Sequence, residues 1–212
     1  MKFMEIKIAE KIIGSNKPPF IIAEMSGNHN RSLERAMAIV DAAAKAGAHA
    51  IKLQTYTADT LTLDVKGAGF SIDQKDSLWN GRTLHDLYKE AYTPWEWHAR
   101  LFEVAKEEGL ICFSSPFDKT AVDFLEKLEV PAYKVASLEI TDIPLIEYIA
   151  SKGKPVIIST GIADENDIVL AIEACKKQGN DQIVLLKCTT SYPAPIAEAN
   201  LVMIKDMSER FG

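Results

Sequence analysis

Two lysines lie inside short apolar stretches, Ala50-Ile51-Lys52-Leu53-Gln54 and Tyr133-Lys134-Val135. In an extended chain alternate side chains point to opposite faces, so Ile51 and Leu53 share one face and Lys52 and Gln54 the other. Lys134 is set against Tyr133 and Val135 in the same way. An ammonium group buried on a strand face is costly unless paired, so each lysine meets either a structural carboxylate such as Glu24 or Glu139, or an anionic ligand. Ser137 follows Lys134 closely, and Ser115 and Ser159 stand at the ends of neighbouring apolar stretches. Lysines and hydroxyls together make a cradle for phosphate or carboxylate. Glu24 and Glu139 are candidates for acid–base work or for holding sugar hydroxyls; alternatively they neutralise the lysines. His29, in Gly27-Asn28-His29-Asn30, is either catalytic or a hydrogen-bonding scaffold. His49, His85 and His98 show no metal spacing such as H-E-x-x-H, so no zinc site is expected within the chain. The aromatic set Trp79, Tyr88, Tyr92, Trp95 and Trp97 reads as packing between a long loop and the next helix rather than as a nucleic-acid stacking platform.

These residues need a scaffold, and the pattern around them supplies one. Short apolar runs alternate with amphipathic stretches, as in repeated strand–helix units. Six strands are predicted: Phe20 to Glu24, His49 to Gln54, Leu110 to Ser114, Ala132 to Val135, Val156 to Ser159 and Ile183 to Cys188. Ser32 caps a helix from Leu33 to Ala46, Thr93-Pro94-Trp95-Glu96 reads as a capping box, and Asp118, Asp142 and Asp164 cap three more. Strands joined by helices imply a parallel sheet with right-handed crossovers. Met1 to Gly14 alternates in a way that predicts a small hairpin. Thr55 to Arg82 is a connection long enough to be a lid or a plain insertion. The dinucleotide fingerprint G-x-G-x-x-G is missing after the first strand, as is the P-loop pattern. Six strands in 212 residues fall two short of a (β/α)8 barrel, so the expectation is an incomplete barrel over 15–212 behind a hairpin over 1–14. Ligands of such folds bind at the carboxyl ends of the strands. Here those ends are polar: Glu24, Ser114-Ser115, Ser159-Thr160 and Thr189-Thr190-Ser191-Tyr192.

Composition agrees with a folded chain and narrows its partners. Hydrophobic residues make up 47% and charged residues 25%, which is neither disordered nor low-complexity. Lysines and arginines number 24 against 30 acidic residues, giving −6, with no basic run longer than Lys176-Lys177. Neither a nucleic-acid nor an anionic-membrane partner is expected. No apolar stretch is long enough to span a bilayer, and the charged N-terminus does not read as a signal peptide. Cys112, Cys175 and Cys188 form no C-x-x-C pair; each reads as a small buried hydrophobe, and their odd number suits a reducing cytoplasm.

Taken in order, seven motifs resemble those of the sialic acid synthase family, most closely its pseudaminic acid synthase branch. They are Phe20-Ile-Ile-Ala-Glu-Met-Ser-Gly-Asn-His-Asn30, Ile51-Lys-Leu-Gln-Thr-Tyr56, Tyr92-Thr-Pro-Trp-Glu-Trp-His98, Phe113-Ser-Ser-Pro-Phe-Asp118, Pro131-Ala-Tyr-Lys-Val-Ala-Ser-Leu-Glu139, Ile158-Ser-Thr-Gly161 and Cys188-Thr-Thr-Ser-Tyr-Pro193. The resemblance implies a TIM-type (β/α)8 barrel, an α/β fold, that condenses phosphoenolpyruvate with the open-chain aldehyde of an acetamido sugar of the 6-deoxy-diacetamido-altrose type. The products would be a nonulosonic acid, here pseudaminic acid, and phosphate released by C–O cleavage. N-acetylneuraminate or legionaminate synthesis is the alternative within the family, and a catalytically incomplete anion-binding barrel the alternative outside it. By motif, Lys52, Ser115, Lys134, Ser137 and Ser159 resemble the positions that hold phosphoenolpyruvate, and Glu24, Glu139 and Tyr192 those that hold or orient the sugar. Thr190 stands where the N-acetylneuraminate branch carries asparagine, which implies a different sugar. The resemblance also implies a divalent cation, Mn²⁺ or Mg²⁺, whose histidine ligands are expected beyond residue 212. A homodimer and a C-terminal antifreeze-like domain, absent from these residues, are implied too. On this reading the 212 residues alone would not carry out the condensation.

Overall fold

The structure is a computed structural model and describes residues 5–73, 79–191 and 194–212. It divides into two compact units, Phe20–Glu129 and Met1–Pro19 with Val130–Gly212. The second of these opens with an antiparallel hairpin, β1 (Ile6–Ile8) against β2 (Lys11–Ile13), with Ile6 opposite Ile13. Ile6 and Ile8 are buried and Lys7 is exposed, as the alternation predicts.

The Phe20–Glu129 unit runs β3 (Ile22–Glu24), α1 (Leu33–Lys45), β4 (Ala50–Thr55), α2 (Ala58–Leu61), α3 (Leu84–Ala91), α4 (Trp95–Glu107), β5 (Ile111–Pro116) and α5 (Lys119–Lys127). Its strands are parallel: Glu24 lies opposite Lys52, Lys52 opposite Phe113, and Gln54 opposite Ser115. The side of these strands that α1 and α4 cover is apolar, and its core holds Met25, Val40, Ile51, Leu53, Leu101 and Ala105. Ser32 caps α1 by accepting from the Arg35 N–H, and Asp118 caps α5 by accepting from Thr120 and Ala121.

The other unit continues with β6 (Tyr133–Val135), a 3₁₀ turn (Leu138–Thr141), α6 (Ile143–Ala150), β7 (Val156–Ser159), α7 (Glu165–Lys177), β8 (Ile183–Leu186) and α8 (Val202–Phe211). These strands too are parallel, with Lys134 opposite Ile157 and Ser159 opposite Leu186. Asp142 caps α6, and Asp164 caps α7 in a reciprocal box with Asp167. Tyr133, Val135, Ile140, Ile146, Ile149 and Ile157 are buried.

All six predicted strands are present, with ends shifted for identifiable reasons. The first starts at Ile22 because Phe20 stacks on His49 and the Ile21 N–H donates to His49 Nδ1 at 2.9 Å. The third starts at Ile111 because the Leu110 N–H closes α4 on the Ala105 carbonyl. The last stops at Leu186, whose carbonyl accepts both the Thr160 N–H and O–H. The capping box at Thr93 does not form. Pro94 is the N-cap of α4, without a side-chain bond, and the Thr93 hydroxyl is taken by His29 instead. The long connection after Thr55 is not structureless: α2 carries a Thr57–Thr60 capping box, and Ser71 bridges Thr83.

Candidate functional site

In the Phe20–Glu129 unit the strand register decides which side chains share a face. Glu24, Lys52, Gln54 and Ser115 follow one another across β3, β4 and β5 on the same face. Lys52 is buried, and its Nζ lies 2.9 Å from Glu24 Oε1, a carboxylate whose side chain is 51% exposed. Of the two counter-charges open to this lysine, the carboxylate is present. Ser115 Oγ is fully buried and has no hydrogen-bond partner among the described residues. A buried hydroxyl without a partner calls for an explanation.

On the opposite face the polar groups are satisfied. His98 Nδ1 sits 3.2 Å from the Pro94 carbonyl, which accepts only if that nitrogen carries the proton. His98 Nε2 therefore accepts from the Thr55 hydroxyl at 2.9 Å, and Thr55 Oγ1 accepts from the Ser114 hydroxyl at 2.7 Å. Burial keeps the His98 imidazole neutral, pushing it down to about 4. His29 is likewise a scaffold here. The Arg31 N–H donates to its Nδ1 at 3.1 Å and its Nε2 donates to Thr93 Oγ1 at 3.2 Å, with burial and then Arg31 lowering its basicity. The aromatic set does not pack as one layer under the long loop: Tyr88 lies edge-on to Tyr56, Trp95 against Phe124 and Trp97 edge-on to His29, while Trp79 is exposed.

In the other unit Lys134, 3% exposed, donates to the Val135 carbonyl at 2.7 Å and to Ser159 Oγ. Ser159 also receives the Cys188 thiol at 3.3 Å. Ser137 Oγ accepts the Gly161 N–H at 3.3 Å. A Cβ at Gly161 would meet Thr190 Cγ2 at 2.5 Å and Ser137 Oγ at 2.9 Å, so these three residues close on a space that tolerates no side chain. Glu139 keeps one oxygen buried with no hydrogen-bond partner among the described residues. Burial raises its acid above the usual carboxylate range, against its own backbone N–H and Lys134, which lower it. Tyr192 lies outside the described residues.

The structure thus gathers Glu24, Lys52 and Ser115 in one unit, and Lys134, Ser137, Ser159 and Thr190 with Glu139 in the other. Sequence reasoning missed the Ser114–Thr55–His98 chain, the half-buried Cys188 as a partner of Ser159, and the close approach at Gly161. Only the last left a signal, a glycine directly after a strand end. Among the described residues no three His, Cys, Asp or Glu side chains converge on a metal site.

Six parallel strand–helix units with polar residues at the carboxyl ends of their strands define the class, an α/β protein of the barrel type. The chain belongs to the NeuB family, whose model matches residues 39–212. It is 48% identical over 197 residues to the pseudaminic acid synthase of Campylobacter jejuni subsp. jejuni serotype O:2, covering 93% of this chain and 57% of that protein. To the pseudaminic acid synthase of Helicobacter pylori it is 45% identical over 196 residues, covering 92% and 57%. The crystal structure of an N-acetylneuraminic acid (sialic acid) synthetase from Leptospira borgpetersenii serovar Hardjo-bovis, in complex with citrate, matches with a TM-score of 0.85 at 32% identity. That match covers 99% of this chain and 67% of the other. The family expected from the seven motifs is therefore the family found. The chain spans 57% of the length of these pseudaminic acid synthases. No helix among the described residues is long and apolar enough to cross a membrane.

Proposed function

We propose that this chain provides the phosphoenolpyruvate-binding strands of a nonulosonic acid synthase. The reaction joins phosphoenolpyruvate to the open-chain form of a 6-deoxy-diacetamido sugar and gives pseudaminic acid and inorganic phosphate. The observation that carries this reading is a buried strand lysine accompanied by strand-end hydroxyls in each unit: Lys52 shares a strand face with the unpartnered Ser115, and Lys134 donates to Ser159. Its support from relatives is the 45–48% identity to pseudaminic acid synthases.

In this reading the lysines and serines hold the phosphate and carboxylate of phosphoenolpyruvate, and Glu24, Glu139, Thr190 and Tyr192 hold the sugar. C3 of the enol attacks the aldehyde carbon while positive charge grows at C2. Anionic groups held by fixed cations and hydroxyls orient the attack and stabilise the redistributed charge without solvent reorganisation. Water adds at C2, and the bond between C2 and the phosphoryl oxygen breaks, so the bridging oxygen departs with phosphate. Glu139, kept protonated more readily than an ordinary glutamate, holds a proton beside the developing alkoxide of the sugar. The setting that goes with this reading is a cytoplasmic homodimer. In the assay, phosphoenolpyruvate carrying ¹⁸O in its bridging oxygen is incubated with the sugar and the full-length protein containing this chain. Label in inorganic phosphate together with a nine-carbon keto acid is the expected result, and label retained in the keto acid, or no condensation, contradicts it.

A further inference from the structure

Ser114 and Ser115 are neighbours on β5 and therefore face opposite ways, one into the satisfied hydroxyl–imidazole chain and the other onto the Lys52 face. The end of β5 lies opposite the end of β4, with Pro116 across from Thr55. Beside the last backbone pairs of the ladder, the bond from the Ser114 hydroxyl to Thr55 Oγ1 ties the two strand ends together through their side chains, and His98 orients Thr55 to accept it. The chain of donors runs one way, because the Pro94 carbonyl fixes the proton on His98 Nδ1. It ends one residue from a buried hydroxyl that has no partner of its own among the described residues.

We propose that His98 is a positioning residue for the anion site of this unit: through Thr55 and Ser114 it fixes the end of β5 so that the Ser115 hydroxyl is presented on the face of Lys52. The proposal rests on the reading that Ser115 and Lys52 bind phosphoenolpyruvate, and it adds a residue that never touches the ligand. A network that merely supported the fold would lower stability without acting through Ser115. A network that positions Ser115 must lose its effect on affinity once that hydroxyl is gone.

The test is a set of phosphoenolpyruvate titrations by calorimetry on the folded protein, with thermal melts as the control for folding. Ser115→Ala, Thr55→Val and His98→Phe are each expected to weaken affinity about tenfold. His98→Gln, whose amide oxygen replaces the Nε2 acceptor, should recover affinity to within about threefold of wild type. The double variant Thr55→Val/Ser115→Ala should be no weaker than Ser115→Ala alone. If Thr55→Val fails to fold, Ser114→Ala takes its place in the same cycle. Additive losses in the double variant, or wild-type affinity in Thr55→Val and His98→Phe beside a tenfold loss in Ser115→Ala, would overturn the positioning role while leaving the anion site standing. Wild-type affinity in both Ser115→Ala and Lys52→Met would instead overturn the reading beneath it, and the proposal with it.

Discussion

Glu24 and Glu139 each lie near a buried strand lysine, one in each unit, yet the two carboxyl groups are treated in opposite ways. Glu24 is half exposed, and its charge is matched by the Lys52 ammonium 2.9 Å away. Glu139 has an oxygen buried without a hydrogen-bond partner among the described residues, and burial drives its acid upward despite the pull of its own backbone N–H and Lys134. One balances a buried cation; the other is biased by burial toward its protonated form. Groups of one chemical type placed in unlike surroundings can take unlike protonation states.

The sharpest way to test this contrast is pH, because the two units carry buried groups of opposite sign. His98 is held at about 4, below the unfolded value of about 6.5, so the unfolded chain binds the extra proton. Its effect is a loss of stability on the order of 3 kcal/mol as pH falls from about 6.5 to about 4. Glu139 behaves in the other sense. Its folded acid is raised, so the stability it contributes is complete below the unfolded carboxylate value and is lost as pH rises through the folded one. Urea unfolding between pH 4 and 8 should show the acid-side fall reduced in His98→Gln and the loss on raising pH reduced in Glu139→Gln. Parallel curves for both variants and the wild type would erase the contrast.

A smaller effect is expected from glycine. Gly161→Ala puts a Cβ 2.5 Å from Thr190 Cγ2 and should cost about 2 kcal/mol, whereas Gly27→Ala, whose nearest neighbour is the Ala91 carbonyl at 3.1 Å, should cost about 1 kcal/mol. Denaturant midpoints give both values, and equal costs would mean that the Gly161 turn yields as freely as the Gly27 loop. The ion pair is expected to have an effect as small as that of Gly27→Ala. Glu24→Gln strands a buried ammonium, but half exposure of the carboxylate limits the cost to about 1 kcal/mol. Adding Lys52→Met should restore the melting temperature. Glu139→Gln at pH 7 should leave it unchanged or slightly raised.

Much of this arrangement was legible in local pattern. Alternation placed Lys52 and Lys134 on faces opposite their apolar neighbours, and short polar side chains before periodic runs marked the caps Ser32, Asp118, Asp142 and Asp164. Thr93 carried the same local signature and failed, since its hydroxyl bonds a histidine 64 residues away. The His98–Thr55–Ser114 chain was hidden for a like reason: its bonded pairs are 43 and 59 residues apart, and it takes both the register of β4 on β5 and the placement of α4 to bring them together. Which counter-charge each lysine meets also required the fold. The sequence pattern left carboxylate and ligand open, and the register of β3 on β4 set Glu24 beside Lys52.

The central claim is that Lys52 and Lys134 are anion-binding lysines, and its most direct test is calorimetric titration of phosphoenolpyruvate into the wild-type protein, Lys52→Met and Lys134→Met. Charge-assisted hydrogen bonds of this kind contribute roughly 1.5–3 kcal/mol each, so saturable binding weakened roughly 10- to 100-fold in each variant is predicted. Wild-type affinity in both variants, with folding intact, would return the two lysines to structural roles and contradict the account.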